Sequence, residues 1–188
     1  MNDESATMIG VKHTLFAAML CSSALHAAPA RARLHGEVTD YGETTAEQER
    51  PARQTQDDHS LVPRTTIEGI RYVDHASSLP AQLCLRFGVT VRLSSDAGKQ
   101  LPRQLIVVVT HPRITRPDQV FSTQDSFPTP VLRGMAYAGW TFDNTWEQQP
   151  GEWVMTFMNE QQVVASKTFK INVPTVASRS RCPPDRVS

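Results

Sequence analysis

Between residues 83 and 93 the chain alternates without a break. Leu83, Leu85, Phe87, Val89, Val91 and Leu93 fall on one side, and Cys84, Arg86, Gly88, Thr90 and Arg92 on the other. A period of two sustained this long describes an extended strand with one face in a core and the other in water. Antiparallel sandwiches are built from such strands. At about 1.5–3 kcal/mol for each fully buried side chain, this face is a major stabilising element.

The same period recurs further on. Ala136, Ala138, Trp140 and Phe142 share a side and, after a polar corner closing on Pro150-Gly151, so do Trp153, Met155 and Phe157. Phe169, Ile171 and Val173 join this core face in the last strand, where Lys167 is the misfit that marks a bulge or strand end. Residues 105–110 (LIVVVT) form a continuous apolar run, which predicts a central strand covered on both faces and ended by His111-Pro112. Residues 34–41 read as a first, edge strand, and residues 65–74 as a second, with Gly69 at a bulge. Four prolines between 112 and 130 predict a long loop crossing between sheets, and residues 131–142 the next strand. With no helical periodicity and about seven strands, the fold class is all-β, an immunoglobulin-like antiparallel sandwich, with a small β-barrel as the alternative.

A chain of 188 residues holds one core of ordinary size, so a single domain over residues 31–173 is expected. Residues 1–30 are set apart as a signal peptide. Translation from Met8 places Lys12 in a positive n-region, residues 15–25 supply the apolar h-region, and Ala28-Pro29-Ala30 or Ala30-Arg31-Ala32 gives a small-x-small cleavage site. The apolar run is too short for a stable membrane span, and Leu20 before Cys21 departs from a lipoprotein signal. The mature protein is therefore expected to be periplasmic or secreted. Residues 44–63 carry almost no apolar side chain and predict a mobile loop, and residues 174–188 a disordered tail. Equal numbers of cations and anions, 19 each, argue against a nucleic-acid partner.

Candidate chemistry is sparse. His35, His75 and His111 lack the spacing of any metal motif, no CxxC or HExxH occurs, and no cofactor or metal is expected. Cys84 with His111 is a conceivable nucleophilic pair. An exported Cys84 is better explained as half of a disulfide with Cys182, reached by a tail crossing the polar face. Trp146 lies in the polar corner beside Glu147 and is the aromatic most open to a ligand, whereas Trp140 and Trp153 fall with the core. Arg86 and Arg92, with Arg71 near them, form a weak candidate for an anion patch. Pro150, Gly151 and Trp153 make up the structural corner, in which proline and glycine set the turn and the tryptophan enters the core.

Several fragments together carry a resemblance: Phe87-Gly88-Val89, His111-Pro112 with Pro117, Trp140-x-Phe142, Glu147 followed by Pro150-Gly151-x-Trp153, and Lys167-x-Phe169-x-Ile171. In this order they resemble a bacterial family of small exported domains of unknown function, of the DUF3859 type. The resemblance spans most of residues 34–173 and implies an immunoglobulin-like sandwich with no assigned activity. The polar insertion after Tyr41 and the cysteine-bearing tail depart from that pattern, so the disulfide draws no support from it. The expectation is a non-catalytic binding or accessory module of the cell envelope, its exposed sheet edges open to a protein or peptide partner. A carbohydrate-binding module is the alternative, requiring Trp146 and a second aromatic on one flat exposed face.

Overall fold

The structure, a computed structural model, describes residues 33–96, 100–174 and 182. Its strands are β1 (Leu34–Thr45), β2 (Gln48–Pro51), β3 (Thr65–Glu68), β4 (Arg71–Asp74), β5 (Ser78–Pro80), β6 (Arg86–Ser95), β7 (Gln104–Thr115), β8 (Phe121–Pro130), β9 (Met135–Thr141), β10 (Gly151–Asn159) and β11 (Gln162–Asn172). A single-turn 3-10 helix, Thr145–Glu147, lies in the corner before β10. One sheet has the order β4-β1-β6-β9, the other β5-β11-β10-β7-β8, and β2–β3 forms a separate hairpin. Each large sheet has two free ends, so the fold is an open sandwich and not the alternative barrel.

Alternation becomes packing where the two large sheets face each other. Phe87, Val89, Val91 and Leu93 of β6 meet Trp153, Met155 and Phe157 of β10 and Phe169 and Ile171 of β11, all buried. Phe87 is the hub. Its ring lies 5.6 Å from Phe142, 5.9 Å from Trp153 and 5.1 Å from Phe169, tilted or edge-on as ring quadrupoles favour.

Several expectations need correction. β1 is not an edge strand but lies between β4 and β6. The segment at 65–74 is two strands, because Gly69 at φ +66° turns the chain between β3 and β4. Regular pairing in the alternating segment begins at Arg86, since Cys84 sits at φ +61° and breaks the extended run. β7 continues past His111-Pro112 to Thr115, with its register shifting between Thr110 and Ile114, so proline sits at an irregularity and not at an end. It is also buried mainly on one face, with Ile106 and Val108 half-exposed. The expected crossing loop is in large part β8, paired with β7. Val173 lies beyond β11 and is exposed.

The polar stretch at 44–63 is strand in part, because Gln48–Pro51 pairs with Thr65–Glu68, while residues 52–63 carry no strand. Every residue of β2 is exposed, so burial does not explain this hairpin. Polar contacts hold it: Arg50 meets Glu68 across the pair, Arg71 meets Glu47, and Arg86 on β6 reaches Glu49 at 2.7 Å.

Cys84 and Cys182 are joined in a disulfide with their Cα atoms 4.9 Å apart. The leader expected at residues 1–30, and the tail apart from Pro174 and Cys182, lie outside the described residues.

Candidate functional site

The residues that resemble family motifs converge on one buried cluster behind the corner. The His111 ring stacks on Trp153 with centroids 4.9 Å apart and lies 5.6 Å from Trp140. Trp153 donates its indole N–H to the Gln149 carbonyl, and Trp140 donates to Glu147 Oε2 at 3.1 Å. Asn144 donates to the other oxygen of Glu147, which has no exposed surface. Gly151 stands at φ +141°, and a Cβ there would lie 2.6 Å from Pro112, so the close approach of corner to β7 requires glycine. Burial raises the Glu147 carboxyl to about 7; the hydrogen bond from Asn144 opposes this and the charge of Asp143 adds to it.

His111 also forms a buried pair with Asp125. Its Nδ1 lies 2.8 Å from the Pro112 carbonyl, which only accepts, so Nδ1 is the donor. Its Nε2 faces Asp125 Oδ2 at 3.2 Å, while Asp125 Oδ1 accepts the Leu61 backbone N–H at 2.9 Å. This pair resembles acid–base machinery, but both side chains are sealed, at 0% and 1% exposure. Its visible work is mechanical: it ties the segment before β3 to the core.

The other singled-out residues are spread apart. Trp146 is half-buried against the core, and the ring contacts of the corner run through Trp140 and Trp153. Arg86 is engaged by Glu49 and by the Thr141 hydroxyl, Arg92 lies 3.7 Å from Glu37, and Arg71 is paired with Glu47. These arginines do not form a patch of unpaired charge. Among the described residues no group of His, Cys, Asp or Glu side chains could hold a metal, and no helix is long and apolar enough to cross a membrane.

An apolar opening lies elsewhere, along β9. A groove of about 590 Å³ runs past every residue of that strand, between the end of β8 and β3. Its wall is mostly apolar, with Ile67, Ile70, Leu132 and Met135 exposed to it. That volume falls in the range of ligand pockets. The Tyr137 ring lies across Gly88 and Gly139, where a Cβ would come within 2.4 and 2.2 Å of its hydroxyl. That hydroxyl is 3.1 Å from Thr44 Oγ1, and burial pushes the phenol up to about 12.

Strand parity defines what the groove sees. Leu93 N–H bonds the Gly134 carbonyl and Phe142 N–H bonds the Leu85 carbonyl, so even-numbered residues of β9 turn their amides toward β6. Odd-numbered residues turn theirs to the free side. Met135 is satisfied by the Leu132 turn, and the carbonyls of Tyr137 and Thr141 accept from Thr129 Oγ1 and Asp143 N–H. Gly139 N–H, Gly139 C=O and Thr141 N–H have no partner among the described residues.

The facing edge of β8 is closed. His59 N–H takes the Ser126 carbonyl, so Pro128 and Pro130 fall on the outer side, where no N–H is needed. Arg64 covers that edge, bonding the Pro128 carbonyl at 3.3 Å and lying 3.7 Å over Phe127. Burial pulls its guanidinium below its ordinary value against the pull of Asp58.

A family model described as Domain of unknown function (DUF3859) matches residues 44–171. The chain belongs to this family. The match takes in residues 44–63, so the polar insertion is part of the family domain, and with it β2 and β3. No curated protein matches the chain. Among solved structures, the crystal structure of an immunoglobulin-like protein from Pseudomonas aeruginosa is similar, at 18% identity and a TM-score of 0.54, covering 76% of this chain and 99% of that one. At that identity the likeness bears on fold alone, and it agrees with the DUF3859 domain being an immunoglobulin-like sandwich.

The groove was missed in the sequence because an edge is a relation between strands. A signal did exist: Pro128 and Pro130 at a spacing of two mark the outer side of an edge strand as well as they mark a loop.

Proposed function

We propose that this DUF3859 domain is an exported, non-catalytic binding module of the bacterial cell envelope whose ligand site is the groove along β9. The observation that carries the reading is the unpaired backbone of Gly139 and Thr141 opening onto that groove. An open, apolar-walled edge beside a closed one suits recognition of a partner by strand addition. The signal-peptide features of residues 1–30 and a disulfide in the mature domain both favour an oxidising compartment.

The test is site-specific photocrosslinking in intact cells, with a benzophenone side chain at Leu132 on the groove rim or at Val163 on an exposed stretch of β11. The expected outcome is a discrete adduct from position 132, on the leader-cleaved chain, with none from position 163. Equal labelling from both positions, or none from 132, would remove this reading.

A further inference from the structure

We infer that the groove takes a short extended peptide segment bearing a carboxylate, its backbone pairing with β9 at Gly139. This rests on the reading of the groove as the ligand site and names the class of ligand. Gly139 offers one N–H and one C=O on the same side, the complement of a single residue in an antiparallel strand. Two residues on, Thr141 offers an N–H while its carbonyl is already taken by Asp143 N–H. Toward the other end, Thr129 occupies the Tyr137 carbonyl, so the open edge is short and the paired segment has three to four residues, roughly the reach of the strand spacing.

Cationic side chains outnumber carboxylates among the described residues of this groove. Arg53, Arg64 and Arg86 line it, against Asp143 as the only carboxylate among the described residues of its wall. Arg86 and Arg64 are also paired with Glu49 and Asp58, which do not line the groove, and Arg64 spends one hydrogen bond on Pro128. A carboxylate beside the paired backbone meets these guanidinium groups, and an apolar side chain of the same segment meets Ile67, Ile70 and Leu132. The carboxylate can belong to a chain terminus or to an Asp or Glu side chain, since both present the same group.

The experiment uses the mature, disulfide-bonded domain and a synthetic random heptapeptide library with free carboxyl ends. The best binder is remade as the C-terminal amide, with each acidic residue changed to its amide, and as a series carrying one N-methyl group at successive positions. The expected result is a loss of at least about tenfold in affinity for one of the carboxylate-blocked forms, which says whether terminus or side chain is read. One N-methyl position, the residue facing the Gly139 carbonyl, is expected to weaken binding by a similar factor while its neighbours do not, with the amide signals of Gly139 and Thr141 shifting on titration. Failure to select any peptide, or a binder indifferent to both kinds of change, would overturn the inference. If position 132 still crosslinks a partner in cells, the groove stands as the site and only the ligand class falls.

Discussion

Asp125→Ala is expected to cost about 3 kcal/mol of folding stability, since each buried polar group left unsatisfied costs about 1–3 kcal/mol and two lose their partner. The substitution leaves His111 Nε2 without its partner in a place water does not reach, and it takes the acceptor from the part-buried Leu61 N–H. Asp125→Asn is expected to lose no more than about 1–1.5 kcal/mol. With Nδ1 committed to the Pro112 carbonyl, a neutral His111 presents Nε2 as an acceptor, so an amide N–H at position 125 fits it and the amide oxygen still accepts from Leu61. Urea unfolding of the two variants beside wild type makes the comparison. If the asparagine is as damaging as the alanine, the pair is held by charge and not by its hydrogen-bond count. In the alanine variant the segment before β3 is also expected to be cut faster by protease, because its tether to the core is gone.

Glu147 gives the second large effect, and it depends on pH. Its folded-state value of about 7 lies above the 4.5 of an unperturbed glutamate, chiefly because burial disfavours the charge. A raised carboxyl contributes stability that is fully present below about pH 4.5 and lost as pH rises through about 7. The shift corresponds to about 3 kcal/mol. Glu147→Gln removes the titration while its carbonyl still accepts from Trp140, and Asn144 can turn its amide to present oxygen. The difference in unfolding free energy between variant and wild type is therefore expected to move in the variant's favour by about 2–3 kcal/mol between pH 5 and pH 8. Parallel pH profiles for the two proteins would show that Glu147 does not carry a buried charge at high pH.

These two clusters show which parts of the molecule could be read from the sequence. Alternation placed Phe87, Val89, Val91, Trp140, Trp153, Met155 and Phe157 in the core, because a half-buried strand writes its facing directly into the order of its residues. It failed at Cys84, whose backbone departs from the extended form although its neighbours keep the pattern. β2 and β8 escaped for a different reason. β2 buries nothing and is held by cross-strand and inter-element charges, so no hydrophobic period marks it. β8 carries Pro128 and Pro130 on an edge, where proline is compatible with pairing, although the same residues inside a sheet would break it.

The candidate site divided in the same way. Glu147, Pro150, Gly151 and Trp153 were legible as a corner, yet what surrounds Glu147 depends on Trp140 and Asn144 folding onto it. Trp146 was singled out for lying in a polar stretch, and it is half-buried against the core instead. The open side of β9 has no local signature, because it follows from β6 pairing on one side and from β8 closing its own edge on the other.

Native-state amide exchange along β9, in the free protein, bears most directly on that open side. Gly139 and Thr141 are expected to exchange on the order of a hundredfold faster than Ala138 and Trp140, whose amides are tied to β6. Equal protection at all four positions would mean that the β9 edge is closed and that the groove offers no backbone to a partner.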